Sequence, residues 1–416
     1  MAWGKISKVS CGSIVEDKGK KMLVQKYVDM LNSKSVIRTL SEFAVKRGKE
    51  IGYENVFDYS LGNPSVPVPR EFTDTCINLL TNEDPGRLHG YSQSLGIYEV
   101  RQKVAESLSR RFGMNYRAEH IFMTSGAAGA LAHAFRLVAE KGDEIITFAP
   151  FFPEYDPYVN LTGAVLKVVP PRTEDFQINV EALETLIGER TKAVLVNTPN
   201  NPSGVVYSRE TLEKLAEILE RKSRELGHRI YLISDEPYRE IVFAGVDAPY
   251  VSWFYDYTVS CYSFSKSLSL PGERIGYVAV NPACPEGEIM IQMCGQISRG
   301  TGHNCPASLI QLAVAKNLDK TADLSVYETN GMLLYKELVN LGFTCVKPDG
   351  TFYIFPRALE EDAKMFCKKA LEYDLVLVPG DSFGCPGYFR MAYCIDTQKV
   401  ERSLVALKRF VETEYE

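Results

Sequence analysis

Several absences narrow what this 416-residue chain can be. No apolar stretch approaches the ~20 residues that a membrane-spanning helix needs. The opening segment, MAWGKISKVSCGSIVEDKGKKM, has no apolar core of signal-peptide length, so secretion is not expected. Histidine is scarce, with five residues, and none of the ten cysteines pairs as CxxC (Cys11, Cys76, Cys261, Cys284, Cys294, Cys305, Cys345, Cys367, Cys385 and Cys394). Metal sites need closely spaced ligands, so no structural metal is expected. Scattered cysteines in a chain this long read as reduced and mostly buried, which fits a cytoplasmic location. No Lys/Arg block stands out and the formal net charge is −6, which argues against nucleic acid as the main partner. Internal repeats and low-complexity tracts are also missing.

What is present is the composition of an ordinary globular protein. The length exceeds what one hydrophobic core usually supports, so two domains are expected. The middle of the chain alternates β-rich runs with helical stretches. Strands are predicted at 120–125, 144–150, 164–170, 193–199, 229–236 and 258–265. Helices are predicted at 129–142, at 179–188 with Asn179 as N-cap, and after Ser208, which caps the next long helix. Several strands are almost continuously apolar, as expected when helices cover both faces of a sheet. The predicted class is therefore α/β, with a mainly parallel, seven-stranded-type sheet. The remainder predicts a smaller α+β domain built from both termini. It comprises helical residues 22–50, a helix at 323–341, two strands flanking the Pro-Asp-Gly turn of FTCVKPDGTFYIFP, a helical segment at 361–373 and a C-terminal helix. The expected boundaries are a loose arm at 1–21, small-domain residues 22–70, a large domain at 71–318 and the rest of the small domain at 319–416.

Polar clusters recur at strand ends: TSGAAG, NTPNNPSG, SDEPY and SFSKS. Ligands of open α/β sheets bind beyond the carboxyl ends of the strands, so these clusters predict one site. Taken singly, each has a plain reading. A lone lysine is usually a solvated charge, an Asp-Glu-Pro-Tyr stretch serves as a helix cap, and Asn-Asn-Pro-Ser-Gly makes an ordinary turn. Thr124-Ser125-Gly126-Ala127-Ala128-Gly129 joins a strand to a helix, where free amides form an anion site, but it lacks dinucleotide GxGxxG spacing.

Taken together, they resemble one family. Ser263-Phe264-Ser265-Lys266, followed by Gly272-Glu273-Arg274, is similar to the lysine segment of the fold-type I pyridoxal-phosphate (PLP) aminotransferases, class I/II. The resemblance runs from about residue 30 to the end. It implies PLP as cofactor, held as a Schiff base on Lys266. It also implies phosphate contacts from Ser263, Ser265, Arg274 and the Gly126-Ala127-Ala128 cradle. Asp235 is implied to pair with the ring nitrogen, Tyr238 and Asn201 to bond the phenolic oxygen, and Phe152 to stack on the ring. Arg390 is implied to grip the substrate α-carboxylate through two N–H groups, beside Gly62. Tyr91 resembles the tyrosine that reaches the neighbouring subunit's phosphate, which implies a homodimer with shared active sites. Arg299 falls near the place where some aspartate aminotransferases offer an arginine from the partner subunit to a distal carboxylate, and it reads equally as a surface arginine.

The function implied is transfer of an amino group from an L-amino acid to a 2-oxo acid, in ping-pong order. The Pro-rich small-domain segment and the cradle resemble the broad prokaryotic subgroup, so the donor stays open between aspartate/glutamate-type and broad-range. A PLP-dependent C–S β-lyase shares the same early steps and is the alternative. A PLP-sensing transcription regulator would carry a DNA-binding module ahead of this fold, and no helix-turn-helix pattern is visible.

Overall fold

A computed structural model of the protein describes residues 23–32 and 35–416. The proposed 1–21 arm and Cys11 lie outside the described residues. Seven strands form the main sheet: β1 (Ile121–Thr124), β2 (Glu144–Phe148), β3 (Val165–Val169), β4 (Thr191–Asn197), β5 (Tyr231–Asp235), β6 (Thr258–Ser263) and β7 (Gly276–Val280). Their order is β1-β7-β6-β5-β4-β2-β3. All neighbours are parallel except β7, which runs antiparallel to both β1 and β6. The strand periodicity shows why the runs are continuously apolar. Ile145, Leu195 and Ile233 enter the core on one face, while Ile146, Val194, Val196 and Leu232 enter the core on the other. Helices cover both faces, so neither set of alternate side chains meets water.

The predicted strands form, trimmed by a residue or more, except that the one expected at 193–199 is shifted to Thr191–Asn197. β7 was not foreseen. Its Gly276 stands opposite Thr124 of β1 and Ser263 of β6. A Cβ there would lie 2.2 Å from the Tyr262 carbonyl oxygen and 3.0 Å from the backbone of Gly126. Only glycine allows three backbones to meet at that edge. The helix expected at 129–142 instead spans Gly126–Val138, so it begins at the polar cluster rather than after it. The predicted caps do form: the Asn179 side chain accepts from the Ala182 amide, and that of Ser208 from the Thr211 amide.

Helices α1 (Gln25–Asn32) and α2 (Val36–Ile51) divide the run expected at 22–50. α2 joins the C-terminal elements, its Leu40 and Ala44 packing with Phe355, Val376 and Val378. Helices Ser325–Asn340 and Thr397–Glu414 pack with the strand Phe389–Ala392 around a second large core. The two strands expected around Pro-Asp-Gly are corrected to one, Tyr353–Ile354. The backbone of the turn is engaged elsewhere. Asp349 and Gly350 amides donate to the Gly204 carbonyl (2.9 and 3.0 Å), and the Thr351 amide to Ile241 (2.8 Å). The turn thereby ties the C-terminal elements to the loops at the sheet's carboxyl edge.

Gly276→Ala is expected to destabilise the protein by about 1–3 kcal/mol through overpacking, read as a lower urea midpoint at unchanged slope.

Candidate active site

A cavity of about 950 Å³ opens where β4, β5 and β6 end, and the C-terminal elements supply its other wall. Lys266 lies in a single helical turn, Phe264–Ser267, that follows β6 directly, and Ser263 caps the turn through the Ser265 amide. The Lys266 Nζ donates to the Gly62 carbonyl at 2.6 Å. Burial, aided by the nearby cations Arg274 and Arg390 and opposed by Cys394, lowers its pKa to about 8. A substantial neutral fraction near neutral pH makes this amine a nucleophile.

Asp235 ends β5. One carboxylate oxygen, Oδ2, accepts from the Tyr155 hydroxyl at 2.6 Å, and Oδ1 is buried with no partner. Burial raises its pKa to about 7, against the Tyr155 hydrogen bond and with help from Glu236. A bare buried carboxylate oxygen is costly unless a donor meets it, and this one belongs to a cavity-lining residue. Glu236 is committed elsewhere, paired with Arg239 at 2.9 Å and accepting from Ser260 at 3.0 Å.

The helix Gly126–Val138 begins beside Arg274. Gly126 has φ +73°, and a Cβ there would lie 2.7 Å from the Arg274 guanidinium. Arg274 itself adopts φ 51°, rare for a residue with a side chain, and donates to the carbonyls of Pro271 (3.0 Å) and Ser125 (3.2 Å). Ala127, Ala128, Ser263 and Ser265 line the cavity here, and the two serine hydroxyls lie 2.7 Å apart. Helix-terminal amides, hydroxyls and an arginine together make an anion cradle.

On the opposite wall Arg390 is buried, 2% exposed, with no acidic partner among the described residues. It donates to Asn201 Oδ1 at 3.1 Å and to the Ser60 carbonyl, and it stacks over the rings of Tyr353 (4.7 Å) and Phe383 (4.9 Å). Its Nε has no partner. A buried guanidinium without an acid beside it has the charge and the planar fork that suit a carboxylate. Tyr238 and Tyr353 hydroxyls meet at 3.1 Å, and Phe152 lines the cavity in edge contact with Tyr155. Gly62 tolerates no side chain, because a Cβ would lie 1.9 Å from the Tyr353 hydroxyl.

Thus Gly62, Gly126 with Ala127 and Ala128, Phe152, Asn201, Asp235, Tyr238, Ser263, Ser265, Lys266, Arg274 and Arg390 share one cavity. Tyr91 and Arg299 do not line it. Tyr91 is wholly exposed, and Arg299 is exposed in the last turn of the helix Gly287–Thr301. Sequence reasoning missed Tyr155, Tyr353 and the α2 residues Arg38, Ser41 and Glu42. No motif marks the two tyrosines, but α2's polar residues at helical spacing were a visible stripe.

Residues 54–407 match the aminotransferase class I and II family pattern, and the chain belongs to that family. It is 30% identical over 393 residues to the aspartate aminotransferase of Thermotoga maritima, covering 91% of this chain and all of that one. It is 29% identical over 408 residues to aromatic-amino-acid aminotransferase 2 of Thermococcus litoralis, covering 94% of this chain and 99% of that one. An aminotransferase structure from Eubacterium rectale superposes with a TM-score of 0.93 at 43% identity, covering 95% of this chain and 100% of that chain. The protein is accordingly a PLP-dependent aminotransferase. The partnerless Asp235 oxygen, the side-chain-free cradle at Gly126 and the buried Lys266 amine fit that cofactor.

Because the folded protein holds the Asp235 proton up to about pH 7, against 3.8 when unfolded, cofactor-free protein loses stability as pH rises between those values. Urea titrations across that range should show the loss in wild-type apoprotein and a smaller one in Asp235→Asn.

Proposed function

We propose that this cavity is the active site and that Lys266 is the residue that holds PLP covalently. The observation that carries the reading is the pairing, in one cavity, of a buried amine of lowered pKa with a buried carboxylate oxygen that lacks a partner. When bound, PLP supplies an electron sink for the charge left on the substrate's α-carbon. Asp235 would meet the ring nitrogen and hold its proton there. Arg274, Ser263, Ser265 and the Gly126–Ala128 amides would hold the phosphate, and Tyr238 and Asn201 the phenolic oxygen. Phe152 would cover the ring. Arg390 orients the amino acid by its α-carboxylate, next to Gly62. Lys266, freed as an amine, takes the α-proton and delivers it back, acting as both base and acid. The contact of its Nζ with the Gly62 carbonyl supports this reading.

The donor class we propose is aspartate/glutamate-type, supported by relatives that bear the name aspartate aminotransferase. The relatives favour transamination over C–S β-lysis. We further propose a cytoplasmic homodimer in which Tyr91 serves the partner's cradle. The full exposure of Tyr91 supports a role outside its own chain. No helix among the described residues is long and apolar enough to cross a membrane.

Lys266→Ala should lower kcat by roughly 10²–10⁴-fold or more, since the proton carrier is lost. Arg390→Ala should instead raise KM for every amino acid. Wild-type rates in Lys266→Ala would overturn the assignment.

A further inference from the structure

The cavity contains more charge than the proposed chemistry uses: Glu154 beside the helix Tyr155–Asn160, and Arg38 with Glu42 on α2. Ile37, Arg38, Ser41, Glu42 and Val45 line the cavity, a spacing that places them on one helical face. The opposite face, with Leu40, Ala44 and Gly48, is buried. Among the cavity's cations, Lys266, Arg274 and Arg390 already have roles. Arg38 is the fourth, and it makes no ion pair or hydrogen bond with any described residue. Arg390 and Arg38 line the same cavity, Arg390 buried and Arg38 exposed, so the two guanidiniums sit at different depths of one space.

We infer that Arg38, with the Ser41 hydroxyl one turn on, forms the subsite for the distal carboxylate of a dicarboxylic substrate, supplied from within the same chain. This rests on the reading of Arg390 as the α-carboxylate receptor. Arg299 lies on a different helix and does not reach this chain's cavity. A guanidinium offers two parallel donors to a carboxylate, and a hydroxyl adds a third. Glu42 faces the same space and opposes an anion there, so the pair sets the balance between dicarboxylic and uncharged side chains. Charge at this subsite discriminates substrates without touching the reacting atoms.

The test compares Arg38→Leu, Glu42→Gln and Arg299→Leu holoenzymes. Each is assayed with aspartate and with alanine, and each is titrated calorimetrically with maleate, a dicarboxylate that does not react. Arg38→Leu should raise KM for aspartate and the maleate Kd by roughly tenfold or more, the usual effect of losing a charged hydrogen bond. Alanine kinetics should change by less than about twofold, since a side chain this short leaves Arg38 untouched. Glu42→Gln should shift both dicarboxylate constants the opposite way, an outcome that damage to α2 would not produce. Unchanged dicarboxylate constants in Arg38→Leu, or a loss confined to Arg299→Leu, overturns the inference. Arg390→Ala separates the two readings. If it abolishes binding of both aspartate and alanine while Arg38→Leu does nothing, only the Arg38 subsite fails. If it spares both, the parent reading fails as well.

Discussion

The structure turns on buried ionisable groups that the described residues satisfy only in part. Asp235 presents an oxygen with no donor, Arg390 a guanidinium with no acid, and Lys266 an amine whose only strong contact is a carbonyl. Each is expensive to bury, and folds normally neutralise or hydrate such groups. Here the cost is concentrated in one cavity, where on the proposed reading a ring nitrogen, a phosphate and a substrate carboxylate would supply the missing charges. The site is thus organised before anything binds, which is what electrostatic preorganisation requires.

The cavity exists because two parts of the chain are fastened across it. The sheet edge supplies Asn197, Asp235 and Ser263, with Asn197 donating to the Asp235 carbonyl and accepting from the Asn201 amide. The C-terminal elements supply Arg390 and Tyr353. Contacts that join the sides include Arg390 to Asn201, Tyr353 to Tyr238, and the Asp349–Thr351 turn to Gly204 and Ile241. The first links a group proposed to bind substrate with one proposed to bind the cofactor's phenolic oxygen. A shift of one wall relative to the other would therefore disturb both at once.

Much of the fold was legible in the sequence. Both faces of the sheet are covered, so its strands appear as apolar runs, and the polar clusters that end them stand out. β7 was not legible, since Gly276 follows a segment read only for its phosphate-binding arginine, and no local signal marks an antiparallel insertion. The hairpin expected at Pro-Asp-Gly failed because tertiary hydrogen bonds claimed that backbone. In the site, residues with a motif around them were found, as with Lys266 and Asp235. Tyr155 and Tyr353 were not, because their hydroxyls act across the fold rather than along the chain. Arg299 was read by counting from a neighbouring motif, while Arg38, which lines the cavity from α2, has no motif around it.

The most direct test of the central claim is reductive trapping of the cofactor. Purified holoenzyme treated with borohydride, digested and mapped by mass spectrometry should carry the pyridoxyl group on the peptide containing Lys266 and on no other lysine. A label on a different lysine, or none after PLP is supplied, would contradict the assignment on which the whole account of the site rests.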